Sequence, residues 1–147
     1  MKHEVLYKGK QVRKNNFLLV NDEKKNIEMF SCETNLHFLS PIHVIYVDGT
    51  FRSAPKFFYQ LFTIHGLSNG HYMPLAFFLL ASKHQTSYED VSSHTVSDAA
   101  KLGVNVFPTV VYADFETAIH SAVTTVRPGC EVKACRFHLG QSWWRTI

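Results

Sequence analysis

The sequence HVIYVDG, residues 43–49, is rich in β-branched residues and ends in a turn-forming glycine. This composition predicts a strand that runs into an acidic residue, Asp48. Two more strand-like segments, 57–65 and 72–80, follow it and are joined to each other by the loop GLSNG at 66–70. Three successive strands with short connections predict an antiparallel meander.

The hydrophobic period changes after this meander. Helical spacing of apolar residues then alternates with strand-like runs, and the run TVVYAD also ends in an acid, Asp114. Because that run is apolar without interruption, it predicts a strand covered on both faces. The predicted elements are a helix at 86–102, a strand at 109–114, a helix at 115–126, a strand at 131–137 and the start of a third helix at 139–147.

The element order β-β-β-α-β-α-β-α predicts an α/β fold. Since crossover connections are right-handed, the fourth strand lies beside the first and the fifth beside the fourth. The prediction is a mixed five-stranded sheet of order 3-2-1-4-5 with flanking helices. Pro74 cannot donate a backbone hydrogen bond, which places the third strand at the edge of that sheet.

Composition limits the class of protein. The chain has 147 residues, 46% of them hydrophobic, and a net charge of +3, which fits one packed domain and excludes a charge-driven disordered chain. No apolar run is long enough to cross a membrane, so no membrane partner is expected. Three cysteines do not make a disulfide framework, and we expect an intracellular protein. We divide the chain into a polar, basic segment at 1–25 and a domain at 26–147.

Asp48 and Asp114 are the candidate site residues. In the predicted sheet they lie at the carboxyl ends of parallel neighbouring strands, where open α/β sheets bind their ligands. Paired carboxylates are hard oxygen ligands that suit Mg²⁺ or Mn²⁺, although such a site usually has a third acid and the chain offers no clear one. Two simpler explanations remain open, a turn at Asp48-Gly49 and an N-cap at Asp114.

Four blocks of the sequence, in this order, resemble the Mutator-like element (MULE) transposase domain. The resemblance covers residues 26–147, and the blocks are YVDGTF at 46–51, KFFYQLFTIH at 56–65, ADFE at 113–116 and CRFHL at 135–139. It implies a ribonuclease H-like fold and a DDE-type transposase. It also implies that Asp48 and Asp114 are the first two catalytic, metal-binding acids.

The resemblance further implies a Cys-x-x-His element after the second acid, which Cys135 and His138 match. We leave its role open between hydrogen bonding near the acids, positioning of DNA, and simple core packing of Cys135. Two ligands are too few for structural zinc, so zinc is not expected. The family's third acid lies in a later helix that this sequence does not reach. We assign Glu116 instead to the first turn of the following helix, as a partner of the helix dipole.

The expected activity is metal-dependent phosphodiester cleavage and strand transfer in DNA transposition, with Mg²⁺ or Mn²⁺ as cofactor. Transposon ends and target DNA are the expected partners, the nucleus is the expected compartment, and homo-oligomerisation is left open. Without a third acid we expect the chain to be inactive alone. The alternative is a domesticated or degenerate module that binds DNA or protein without catalysis. A net charge of +3 is low for a DNA-binding protein.

Overall fold

The structure is a computed structural model that describes residues 17–52 and 54–134 in full and the backbone of residues 4–7 and 10–13. Its elements in chain order are β1 (Glu4–Tyr7), β2 (Lys10–Arg13), β3 (Leu18–Asp22), β4 (Ile27–Phe30), α1 (Glu33–Leu39), β5 (Val44–Thr50), β6 (Gln60–Ser68), β7 (His71–Leu80), α2 (Gln85–Lys101), β8 (Val110–Ala113), α3 (Thr117–Val126) and β9 (Glu131–Ala134). The predicted third helix at 139–147 and the end of the last predicted strand lie outside the described residues.

A mixed seven-stranded sheet organises the fold, with strand order β3-β4-β7-β6-β5-β8-β9. The prediction of five strands is therefore wrong in number. The five strands expected from the sequence follow one another as β7-β6-β5-β8-β9, and β3 and β4 extend the sheet beyond β7. The sheet thus includes residues that precede the predicted domain start at 26. Strands β1 and β2 form a separate antiparallel pair.

The third predicted strand, β7, is not an edge strand, so that prediction is wrong. β4 pairs with β7, but only along residues 77–80 of β7. Pro74 pairs with His65 of β6 beside a register shift, in the half of β7 that lies beyond the reach of β4. The missing donor of proline is tolerated there because no described strand faces that side of residue 74.

The core lies between one face of the sheet and the three helices. Alternate strand residues point to this face, including Ile45 and Val47 of β5 and Phe62 and Ile64 of β6. The helices bury their apolar sides against them, with Leu36 and Leu39 from α1, Tyr88, Val91 and Ala99 from α2, and Ile119 and Ala122 from α3. The helical stripes predicted for α2 and α3 therefore exist. No helix among the described residues is long and apolar enough to cross a membrane.

Candidate active site at the carboxyl ends of β5 and β8

β5 and β8 are parallel neighbours whose register places the two candidate acids side by side. Tyr46 pairs with Tyr112, and the same register continued by two residues puts Asp48 opposite Asp114. Asp48 lies near the end of β5, and Asp114 follows the last residue of β8. The predicted parallel pairing of these strands is therefore confirmed, and both acids lie at the same edge of the sheet.

The two simpler explanations of these acids do not match the structure. Asp48 and Gly49 are part of β5 and pair with Thr63 and Phe62 of β6, so they do not form a turn. The N-cap of α3 is Glu116, not Asp114. The positions of both acids are instead set by the ends of the two strands.

An aromatic stack holds the two strands in register just before the acids. The rings of Tyr46 and Tyr112 are nearly parallel, at an angle of 12° and a centroid distance of 4.9 Å. Tyr72 of β7 meets Tyr46 edge-on at 4.7 Å. Stacked and edge-on aromatic pairs contribute to stability beyond the effect of their buried area. The three tyrosines therefore stabilise the sheet two residues before Asp48 and Asp114.

The segment after β8 is fixed by hydrogen bonds to Asp114. The backbone N–H of Glu116 donates to Asp114 Oδ1 over 2.9 Å, and Nε2 of His120 donates to the backbone carbonyl of Asp114 over 2.8 Å. These bonds tie both the side chain and the backbone of Asp114 to the start of α3. The carboxylate is therefore held in one orientation at the strand end.

A buried hydrogen-bond chain runs beneath this edge and joins three elements. Nε2 of Gln60 donates to the hydroxyl of Tyr88 over 2.9 Å, and that hydroxyl donates to Oε1 of Glu116 over 3.0 Å. Gln60 is on β6, Tyr88 is on α2, and Glu116 precedes α3, so the chain crosses the core from the sheet to both helices.

Glu116 lies one position before the first turn in which it was predicted. It makes no capping hydrogen bond to α3, and it precedes that helix instead of lying in its first turn. Burial raises the pKa of Glu116 above its ordinary value, the hydrogen bond from Tyr88 opposes this rise, and the charge of Asp114 adds to it. Burial likewise raises the pKa of the Tyr88 hydroxyl.

Near Asp48, the neighbouring ionisable group is His65 of β6. It pairs with Tyr46, two positions from the pairing of Asp48 with Thr63. Burial lowers the pKa of His65, while the negative charge of Asp48 and a hydrogen bond with the backbone of Tyr46 oppose that decrease. The pKa of this histidine, which no sequence motif singles out, therefore depends on the charge of the first candidate acid.

The donor set at this edge fits a divalent cation only in part. Two carboxylates in register are suitable ligands for Mg²⁺ or Mn²⁺. Within residues 17–52 and 54–134, however, no group of three or more His, Cys, Asp or Glu side chains is placed to hold a metal ion. Cys135 and His138 lie outside the described residues, so the role of that element stays a prediction.

A family model for the MULE transposase domain matches residues 44–142, which is more than half of the chain. The chain belongs to the MULE transposase domain family. The match begins at the first residue of β5 and contains both Asp48 and Asp114. A comparison with curated proteins gave no match. The MULE assignment supports a transposase-related function for this chain.

Sequence reasoning missed the Gln60, Tyr88 and Glu116 chain in this MULE domain. The sequence pattern predicts only that Gln60 belongs to a strand and that Tyr88 belongs to the apolar stripe of a helix. A weak signal existed, because Gln60 is a polar residue with aromatic and apolar neighbours on both sides, in the sequence FFYQLF at 57–62. However, Tyr88 lies 28 positions after Gln60, and Glu116 lies a further 28 positions after Tyr88, so the chain becomes visible only in three dimensions.

Proposed function

We propose that this chain carries the catalytic domain of a DDE-type DNA transposase, with a ribonuclease H-like fold, acting on DNA in the nucleus. Residues 26–147 form that domain on this proposal. The observation that carries it is the common register of Asp48 and Asp114 at the carboxyl ends of two parallel strands. Open α/β sheets bind their ligands at such an edge.

Asp48 and Asp114 would hold the divalent cation, Mg²⁺ or Mn²⁺. When bound, the cation would activate the attacking hydroxyl and offset the negative charge of the phosphodiester. The protein itself supplies orientation. The backbone N–H of Glu116 donates to Oδ1 of Asp114, and Oδ2 takes no part in that hydrogen bond. The Tyr46–Tyr112 stack keeps the two strands that carry the acids aligned.

Binding of Mn²⁺ tests this proposal, followed by electron paramagnetic resonance of the free ion. We expect the wild-type chain to bind Mn²⁺, and we expect Asp48→Asn and Asp114→Asn each to weaken binding at least tenfold. Either substitution keeps the size of the side chain and removes its charge. A loss therefore reports the missing ligand more than a change in packing.

Glu131→Gln is the matched control. Glu131 is an exposed acid at the first residue of β9, hence at the opposite edge of the same sheet, and it forms a long ion pair of 3.7 Å with Lys133. We expect this variant to bind Mn²⁺ like the wild type. Equal affinity in Asp48→Asn, Asp114→Asn and Glu131→Gln would contradict the proposal.

The second candidate function is a module that binds DNA or protein without catalysis. Glu116, the acid closest along the chain to Asp114, favours this candidate. Its carboxylate accepts a hydrogen bond from Tyr88 and is therefore engaged elsewhere than at a metal site. On this candidate the chain retains DNA when metal is removed and does not cleave it when Mn²⁺ is added. Strand cleavage that depends on Mn²⁺ and disappears in Asp114→Asn would exclude it.

A further inference from the structure

Four aromatic side chains are exposed at the edge of the sheet that carries the two acids. The exposed fraction is 81% for Phe57, 63% for Phe115, 49% for Phe51 and 44% for Tyr59. We name these four residues the aromatic rim. Aromatic rings usually contribute to a core, as Phe62 and Phe78 do in the same sheet, so exposure on this scale leaves much apolar surface in water.

The connections of the strands place the rim beside the acids. Phe51 follows the last residue of β5, three positions after Asp48, and Phe115 directly follows Asp114. Tyr59 precedes β6, whose first residues lie next to the end of β5 because Thr50 pairs with Leu61. The rings therefore border the edge where Asp48 and Asp114 meet.

Contacts position three of the four rings of the rim. Phe51 and Tyr59 meet edge-on with a centroid distance of 5.2 Å and an angle of 70°. Nζ of Lys56 lies 6.0 Å from the centroid of Phe57. Paired rings lose less conformational freedom when they bind a planar group, which favours recognition by stacking.

The charges beside the rim are suited to a polyanion. Arg52 and Lys56 are exposed in the same connection as Phe51 and Phe57. Lys83 is exposed three residues after the end of β7, where Leu80 pairs with Gln60 at the start of β6, so a third cation lies at the same edge. Positive side chains interleaved with exposed rings are the pattern by which proteins bind single-stranded nucleic acid, with phosphates on the cations and bases on the rings.

We propose that the aromatic rim binds unpaired nucleotides at a DNA end by stacking their bases, and so presents that end to Asp48 and Asp114. The inference rests on the proposed function, since it assigns the form of DNA taken by the same site. Bases inside a duplex are already stacked on one another. Only unpaired bases offer both faces to the rim, so the rim selects frayed or overhanging ends.

The test compares two DNA probes by fluorescence anisotropy, with EDTA present so that no metal contributes. One probe is a blunt duplex, and the other is the same duplex with a short 3′ thymidine overhang. We expect the wild-type chain to prefer the overhang. Each base stacked on an aromatic ring is worth about 1–3 kcal/mol, so Phe57→Ala and Phe115→Ala should each weaken overhang binding by about 5- to 140-fold.

Two further variants separate stacking from folding. Phe57→Trp keeps a ring and should retain the preference for the overhang. Phe107→Ala removes a ring that is 61% exposed, close to the 63% of Phe115. Phe107 lies in the segment before β8, at the opposite edge of the sheet. The variant should leave both affinities unchanged. Truncating exposed side chains such as Phe57 and Phe107 should change stability little.

The outcomes distinguish this proposal from the proposed function. A wild-type chain that shows no preference for the overhang, or Phe57→Ala and Phe115→Ala variants that behave like Phe107→Ala, would overturn the role of the rim. Neither result depends on Mn²⁺ binding. Conversely, the wild type could fail to bind Mn²⁺ while the preference for the overhang persists in Asp48→Asn. That result would support the role of the rim and reject the metal site.

Discussion

Gly49 and Gln60 occupy a space that has room for only one side chain: a Cβ atom added to Gly49 would collide with Oε1 of Gln60. Gln60 is completely buried, and its amide nitrogen donates to the Tyr88 hydroxyl and to the carbonyl of Ser82. It cannot move without losing those bonds. The residue next to Asp48 is therefore glycine because a neighbouring amide needs the space.

The first prediction concerns this contact. Gly49→Ala should lower the free energy of unfolding by about 1–3 kcal/mol, the usual cost of overpacking a core. Urea denaturation measures it. In a Gln60→Ala background the added methyl group meets no amide oxygen, so the same substitution should cost much less there. An equal loss in the two backgrounds would show that the contact is not the cause.

The second prediction concerns the Tyr88 hydroxyl, which links Gln60 to Glu116. Tyr88→Phe keeps the ring and leaves Oε1 of Glu116 without its hydrogen bond, so we expect a loss of about 1–3 kcal/mol in the free energy of unfolding. The control is Tyr59→Phe, which removes a hydroxyl from an exposed ring and should change stability by less than about 0.5 kcal/mol. Comparable losses in the two variants would argue against the buried chain.

The third prediction concerns the hairpin between β6 and β7. Ser68 pairs with His71, and the two residues between them have positive φ angles, 50° at Asn69 and 75° at Gly70. A Cβ atom at Gly70 meets nothing, so the cost of Gly70→Ala is purely conformational and should be about 1–2 kcal/mol. Asn69→Gly should be tolerated because glycine adopts positive φ readily. Thermal melts of the two variants compare them directly, and an unchanged Gly70→Ala would be inconsistent with this turn.

The fourth prediction concerns the pH dependence of Cys130. Burial raises the pKa of its thiol above the ordinary value of 9.0, and the positive charge of Arg127 only partly opposes this. A raised pKa means fewer thiolates below pH 9, and the thiolate is the reactive form. In a chain with Cys32→Ser and Cys135→Ser, iodoacetamide should therefore modify the folded protein more slowly at pH 8 than the same chain unfolded in urea. Equal rates would refute the shift.

Local patterns in the sequence were sufficient for the centre of the fold. The parallel pairing of β5 and β8 is predicted correctly because crossover connections have one hand. The further prediction that β8 is covered on both faces is not confirmed among the described residues, because buried and half-buried residues alternate along this strand. The helical stripe of α2 is likewise visible in Tyr88, Val91 and Ala99, which are all buried. These features depend on period and connection length, both of which can be read along the chain.

Strand pairings and hydrogen bonds between residues far apart in the sequence were not predictable. The pairing of β4 with the far half of β7 adds two strands to the sheet, and nothing in the residues of β3 specifies that partner. Gln60, Tyr88 and Glu116 each satisfy a local pattern, so their hydrogen-bond chain has no signature of its own. The catalytic roles of Asp48 and Asp114 stay predictions, although the structure brings the two residues to one edge.

The register that unites the two acids also bears on the order of folding. Tyr46 and Tyr112 pair although they are 66 positions apart, whereas the β6–β7 hairpin closes around two residues. Loop-closure entropy makes the longer closure costlier by about 3 kcal/mol. We expect hydrogen exchange during refolding to protect the hairpin first and β8 later. Partly folded chains would then have a formed hairpin with Asp48 and Asp114 still apart, so metal binding would report completion of folding.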